Sequence, residues 1–163
     1  MSELILNTLR SSTLSKDLRD SEIELLAGLV TQREYKSGEC ILEPGAVELK
    51  DCLLIVADGN VEATFNSAGQ AVTLHQLQQG DIAGVISFVG GSVQNISATI
   101  VAKSDAKILL LERGRLESLL NSCPSLVYDV MRGIARDVHG TARRMNTQSV
   151  EMNNYIYHTH GRY

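Results

Sequence analysis

The chain has 163 residues, which is enough for one domain with a substantial core. Hydrophobic residues make up 44% of it, but aromatic residues only 4%, and tryptophan is absent, so the core is expected to be aliphatic. The formal net charge of −4 excludes the global positive field by which dedicated nucleic-acid-binding proteins recruit DNA or RNA.

The cysteines and the N-terminus indicate a cytoplasmic protein. Cys40, Cys52 and Cys123 are odd in number and widely spaced, which predicts reduced thiols rather than a disulfide framework or a zinc site. The first residues lack a basic leader, and no apolar run approaches the roughly 20 residues that a membrane span needs. We therefore expect a cytoplasmic location without membrane contact.

Residues 1–37 are predicted to form an N-terminal helical segment. Ser21 and Glu24 have the spacing of a capping box, in which each side chain satisfies an amide at the start of a helix. The helix is expected to end before Tyr35, where a turn begins. Its apolar face has helical spacing and consists of Ile23, Leu26, Leu29 and Val30.

Residues 38–111 change to the period of two that is typical of strands. Short apolar runs separated by turn residues predict an antiparallel β-roll or jelly roll of about eight strands, so the fold class is mainly β with flanking helices (α+β). Asp58-Gly59-Asn60 is a hairpin signal, and Asn66-Ser67-Ala68-Gly69 predicts a second hairpin. The apolar runs begin at Cys40, Cys52, Val61, Ala71, Ile96 and Lys107.

Residues 112–152 return to helical spacing, with Pro124 in the first turn of a long helix. Its apolar positions are separated alternately by four and three residues, a heptad seam that favours a homodimer formed through this helix. Alternatively, only the first turns of this long helix pack, and they pack on the roll of their own chain. The remaining residues, 153–163, are predicted to be a mobile tail without a metal site. The seam consists of Val127, Met131, Ile134, Val138, Thr141 and Met145 and continues to Gln148 and Met152.

Five short motifs occur along the chain in a distinctive order. They are Lys36-Ser37-Gly38-Glu39, Asp58-Gly59-Asn60-Val61, Gly80-Asp81-Ile82, Ser97-Ala98-Thr99-Ile100 and Cys123-Pro124. In this order and spacing the chain resembles the cyclic-nucleotide-binding domain family, which includes catabolite activator proteins and regulatory subunits of cyclic-AMP-dependent kinase. The resemblance implies a β-roll after an N-terminal helix, a short cassette helix within residues 80–99, and a long C-terminal dimerisation helix.

In that family, a cassette reading Gly-Glu-Leu/Ile and, about ten residues later, Arg-Ser/Thr-Ala holds the ligand. The Arg forks onto the cyclic phosphate and the Glu accepts from the ribose hydroxyl. In this chain Val85 stands in place of the Glu and Ile96 in place of the Arg. We therefore expect no normal binding of cyclic AMP or cyclic GMP, and we predict no cofactor. The positions that match the family's ligand site are Gly84, Val85, Ile86, Ser87, Ile96, Ser97, Ala98 and, on the long helix, Thr141.

The resemblance implies a non-catalytic regulatory or signal-sensing module. The sequence ends soon after Met152, without the helix-turn-helix of the catabolite activator group, so we expect a protein partner as the output and no direct nucleic-acid binding. Two alternatives are a transcription-regulator effector domain that responds to a different small ligand, and a genuine cyclic-nucleotide binder with altered contacts. A metal-dependent enzyme of the cupin type is disfavoured, because His75 is the only histidine in the strand region.

Overall fold

The computed structural model describes residues 2–67, 70–91 and 98–160. Its helices are α1 (Glu3–Ser11), α2 (Asp20–Ala27), α3 (Val85–Phe88), α4 (Arg113–Glu117) and α5 (Pro124–His160), with a 3₁₀ turn at Thr13–Ser15. Its strands are β1 (Val30–Tyr35), β2 (Cys40–Leu42), β3 (Cys52–Asp58), β4 (Val61–Ser67), β5 (Gln70–Leu77), β6 (Ile82–Ala83), β7 (Thr99–Ala102) and β8 (Ala106–Glu112).

The strands form two four-stranded antiparallel sheets. Sheet A has the order β1-β8-β3-β6, and sheet B has the order β2-β7-β4-β5. With the N-terminal helices and the long C-terminal helix, this is the predicted β-roll of the α+β class, so the fold prediction is confirmed.

The centre of sheet A explains why two apolar runs in the sequence are continuous rather than alternating. Strand β3 is buried from Cys52 to Ala57, and most of β8 is buried as well. Because successive side chains point to opposite faces of a sheet, each strand supplies two cores. Leu53 and Leu109 face the helices, whereas Leu54 and Leu110 face sheet B. The molecule therefore has three layers: helices, sheet A and sheet B.

The hairpin predicted at Asp58-Gly59-Asn60 is wrong. This turn carries the chain from sheet A into sheet B. Strand β3 pairs with β8 and β6, whereas β4 pairs with β7 and β5. The turn packs on the neighbouring crossover, where the Asn60 carbonyl accepts from the Lys103 amide at 2.8 Å. A short glycine turn fixes a reversal of the chain but not the sheet that the next strand joins. The second hairpin is confirmed, since β4 and β5 pair directly.

The roll begins earlier than predicted, inside the segment assigned to helix. Helix α2 ends at Ala27, and Leu29 and Val30 lie beyond it, with Val30 opening strand β1. The capping box predicted at Ser21 and Glu24 is also wrong. The helix starts at Asp20, where the Glu22 carboxylate accepts from the Arg19 amide at 2.9 Å, so Ser21 and Glu24 lie inside the helix.

Helix α5 is fixed to the N-terminal segment by a close backbone contact and an ion pair. A Cβ added at Gly133 would lie 2.7 Å from Leu14 Cα and 2.9 Å from the carbonyl oxygens of Thr13 and Leu14. One turn away, Asp17 Oδ2 lies 2.6 Å from Arg136 Nη2, and this pairing lowers the pKa of Asp17. The first half of α5 therefore packs directly on the domain.

This packing divides the predicted dimer seam into two faces. Val127 and Ile134 are buried in the core of their own chain, so assigning them to a dimer seam was wrong. Met131, Val138 and Met145 are exposed. The helix also continues to His160, past the predicted end at Met152. The mobility assigned to residues 153–163 stays a prediction, and residues 161–163 lie outside the described part of the chain.

We expect Gly133→Ala to destabilise the domain by about 1–2 kcal/mol. The added methyl group meets backbone atoms that cannot rotate away, and such overpacking typically costs about 1–3 kcal/mol, partly offset by the gain of about 1 kcal/mol in helix propensity. Gly140→Ala is the matched control, because nothing lies within 4 Å of its added Cβ. It should stabilise by about 0.5–1 kcal/mol. Urea unfolding at one protein concentration measures the free energy of unfolding of both variants, and a Gly133→Ala variant as stable as the Gly140→Ala variant, or more stable, would contradict the close contact.

Candidate functional site

Two adjoining cavities lie between the roll and helix α5. The first cavity has a volume of about 340 Å³ and the second of about 360 Å³. Because they share part of their lining, we treat them as one pocket with two halves. The residues common to both halves are Ile82, Ile100, Asp137, Thr141 and Met145.

The second cavity contains most of the positions that match the family's ligand cassette. Gly84, Val85, Ile86 and Ala98 line it together with Thr141 of α5. The structure therefore brings these five predicted positions together around one space. The two remaining cassette positions at the end of the motif, 96 and 97, lie outside the described residues.

Gly84 fixes the direction in which the cassette helix starts. It is the N-cap of α3 and has a left-handed backbone with φ 78°, which glycine adopts without strain. A Cβ at this position would lie 2.8 Å from Leu54 Cδ1. Ser87, predicted as a ligand residue, lines neither cavity. It is buried, and its hydroxyl donates to the Gly84 carbonyl oxygen at 3.2 Å. Ser87 therefore serves the structure of α3 rather than the pocket.

Arg113 holds the other end of α3, a role that the sequence analysis missed. Its Nη2 lies 2.8 Å from Asp51 Oδ1, and its Nη1 donates to the Phe88 carbonyl oxygen at 3.4 Å. A cation at the C-terminal end of a helix satisfies carbonyl groups that have no partner within the helix. Arg113 therefore links the C-terminal end of the cassette helix to Asp51, the residue before β3, and to α4, which starts at Arg113.

The charges around the pocket differ from those of an anion site. Residues 84–102 include no Asp, Glu, Lys, Arg or His. Among the described residues that line the second cavity, the one charged side chain is the carboxylate of Asp137. The first cavity adds Asp81, His75 and Arg144. The guanidinium of Arg144 donates to the Thr141 hydroxyl at 3.0 Å, so the position expected to contact a ligand has a partner within the helix.

The pocket raises the pKa of Asp137 above its ordinary value of 3.8. Burial is the main cause, because it penalises the charged form, and the Asp81 carboxylate adds to it. Arg144, His75 and the Thr13 hydroxyl act in the opposite direction but do not restore the ordinary value. Two carboxylates, those of Asp137 and Asp81, thus lie at the polar end of the pocket.

Asp137, Asp81 and Arg144 were not recognised as pocket residues from the sequence. No site role was predicted for Asp137 or Arg144, and Asp81 was noted only within the Gly80-Asp81-Ile82 motif. One signal was present, because Asp137 lies four residues before Thr141 and so shares its helix face. His75 was placed on a sheet surface, whereas its side chain lines the first cavity.

Two further properties hold for the part of the chain that the structure describes. None of the helices in this part of the chain has the length and the apolar character needed to cross a membrane. Within the same residues, no three His, Cys, Asp or Glu side chains are grouped so that they could hold a metal ion.

The fold and the sequence can be compared with known proteins. A cyclic nucleotide-binding domain from Methylobacillus flagellatus KT has a TM-score of 0.78 at 22% identity, covering 92% of this chain and 83% of that one. The N-terminal domain of a transcriptional regulator from Streptomyces coelicolor A3(2) has a TM-score of 0.70 at 24% identity, with coverages of 82% and 94%. At these identities the likeness shows the fold.

The catabolite activator protein of Thermus thermophilus is 27% identical, with a TM-score of 0.67. The match covers 85% of this chain but 63% of that protein, so this chain spans less than two thirds of its length. No curated protein matches the chain. The family model described as Cyclic nucleotide-binding domain matches residues 32–123, more than half of the sequence. The chain therefore belongs to the cyclic nucleotide-binding domain family.

Proposed function

We propose that this chain is a non-catalytic, signal-sensing regulatory module that does not bind cyclic AMP or cyclic GMP in the family's usual manner. The observation that carries the proposal is the charge around the second cavity. Its cassette residues are uncharged, and the charged side chain among its described lining residues is a carboxylate, that of Asp137.

The energetic consequence for a cyclic phosphate is large. A buried charge without its partner costs on the order of 3–5 kcal/mol, which corresponds to about two to four decades in affinity. A carboxylate ~5 Å from the phosphate would add about 3 kcal/mol of repulsion at an effective dielectric constant of ~20. Both effects act against the ligand, since Ile96 stands in place of the phosphate-binding Arg and Asp137 lines the second cavity.

The regulatory role is supported by the kinds of protein that share the fold. The solved relatives include a transcriptional regulator and a catabolite activator protein. In such a module, a ligand acts by favouring one of two conformations, and the change is passed to an output. We propose that the output of this chain is a protein partner rather than DNA, in keeping with its net charge of −4.

We propose that a second copy of the chain covers the exposed stripe of α5. Apolar side chains recur there at intervals of seven residues, which is the repeat that pairs two helices. Met145 is 64% exposed and Met152 is 61% exposed, a costly arrangement for a methionine stripe without a partner. The stripe consists of Met131, Val138, Met145 and Met152.

Calorimetric titration with cyclic AMP and cyclic GMP tests the ligand part of the proposal. We expect no measurable heat of binding up to ~1 mM nucleotide, because the cassette lacks both charges. The matched variant carries Val85→Glu and Ile96→Arg, which restores the pair and should give detectable binding. Micromolar binding by the unmodified chain would show that another arrangement holds the phosphate.

Sedimentation velocity over a range of concentrations tests the dimer. Met152→Glu should raise the dimer dissociation constant at least ten-fold, because it places a charge in an apolar seam. Thr147→Glu is the control, since Thr147 is also exposed but lies on the opposite side of the helix from Met145. An unmodified chain that sediments as a monomer, or equal effects of the two substitutions, would rule out this interface.

A further inference from the structure

The two cavities form a pocket that is apolar over most of its wall. Strands of both sheets and one face of α5 contribute aliphatic side chains, so an occupant would bury its hydrocarbon surface against them. The combined space is large enough for a ligand of several rings or an equivalent chain. Its apolar lining includes Leu42, Leu74, Leu77, Ile82, Ile100 and Met145.

The polar side chains gather in one region of this wall. Asp81 and Asp137 both line the first cavity, and their carboxylates are close enough for Asp81 to raise the pKa of Asp137. Asp81 Oδ2 accepts from the Gln78 amide at 2.8 Å. His75 and Arg144 are the basic residues among the described lining residues, and Arg144 is exposed and bonded to the Thr141 hydroxyl. Two carboxylates therefore share this cavity with one imidazole and with one guanidinium that is partly engaged by Thr141.

We propose that the pocket binds an amphipathic organic cation, with its hydrocarbon body against the aliphatic wall and its amine or amidine group beside Asp137 and Asp81. This inference rests on the proposed function, because it names the class of molecule that the sensing pocket would take. A cation compensates the two carboxylates, whereas an anion adds a like charge in a partly dehydrated space.

Shape alone does not select this class, so the charge preference is the part to test. Three probes share one naphthalene body and differ in charge: 1-naphthylmethylamine, 1-naphthalenemethanol and 1-naphthoate. Binding of each to the full chain can be followed at one ionic strength by the methyl resonances of Ile82, Ile100 and Met145, which line both halves of the pocket. We expect the amine to bind at least five-fold more tightly than the alcohol, and the carboxylate more weakly than either.

Asp137→Asn isolates the charge from the shape. It should reduce the preference for the amine over the alcohol to less than two-fold, because the amide carries no charge. Folding should be retained, because burial already penalises the charged form of Asp137. Asp129→Asn is the matched control on the same helix: Asp129 Oδ1 pairs with Arg132 Nη1 at 3.2 Å and lines neither cavity. It should leave the preference intact.

Equal affinities for the three probes, tighter binding of the carboxylate, or no binding by any of them would overturn the assignment. So would an unchanged preference in the Asp137→Asn variant. Cyclic AMP added in the same experiment separates this outcome from failure of the proposed function. Shifts at micromolar cyclic AMP would refute the proposed function, whereas loss of the amine preference without such shifts would refute only the ligand class.

Discussion

The packing of α5 on the rest of the domain is the constraint on which the other functional features depend. Gly133 lets the helix approach the backbone of Thr13 and Leu14, and the buried side chains of Leu126, Val130 and Ile134 set which face of the helix points inward. In this orientation, one face of the helix completes the core and, farther along, closes the pocket over the strands. The neighbouring face is left exposed for a second helix.

Because these two faces adjoin, the proposed ligand site and the proposed dimer surface share residues. Val138 and Met145 line the second cavity and also belong to the exposed apolar stripe. A molecule that reorders these side chains would change the surface offered to a second copy, and by linkage dimerisation would change the affinity for the molecule. The carboxylate of Asp137 lies on the same helix, one position before Val138, so charge in the pocket acts close to the seam.

The sequence predicted the parts of the fold that have strong local patterns and missed those that depend on distant pairing. Strands β3 and β8 could be predicted from their continuous apolar runs, because sheet A is buried on both faces. Strand β1 was read as helix, because residues 31–34 are polar and exposed and the strand is held by pairing with β8, far along the chain. In the site, the cassette positions around Gly84 were placed from the motif. Asp137 was missed, since only the folded chain shows that its face of α5 is covered by strands.

The central claim, that two carboxylates lie together at the polar end of the pocket, can be tested on the unliganded protein. A carboxyl-carbon NMR titration would report the pKa of Asp137 in the unmodified chain and in the Asp81→Asn variant. We expect a value above the ordinary 3.8 that falls when Asp81 is neutralised, because burial and the second carboxylate both favour the protonated form. A value at or below 3.8, or one that does not change in the Asp81→Asn variant, would contradict this account, because the charged form of Asp137 would then not be opposed by burial and Asp81.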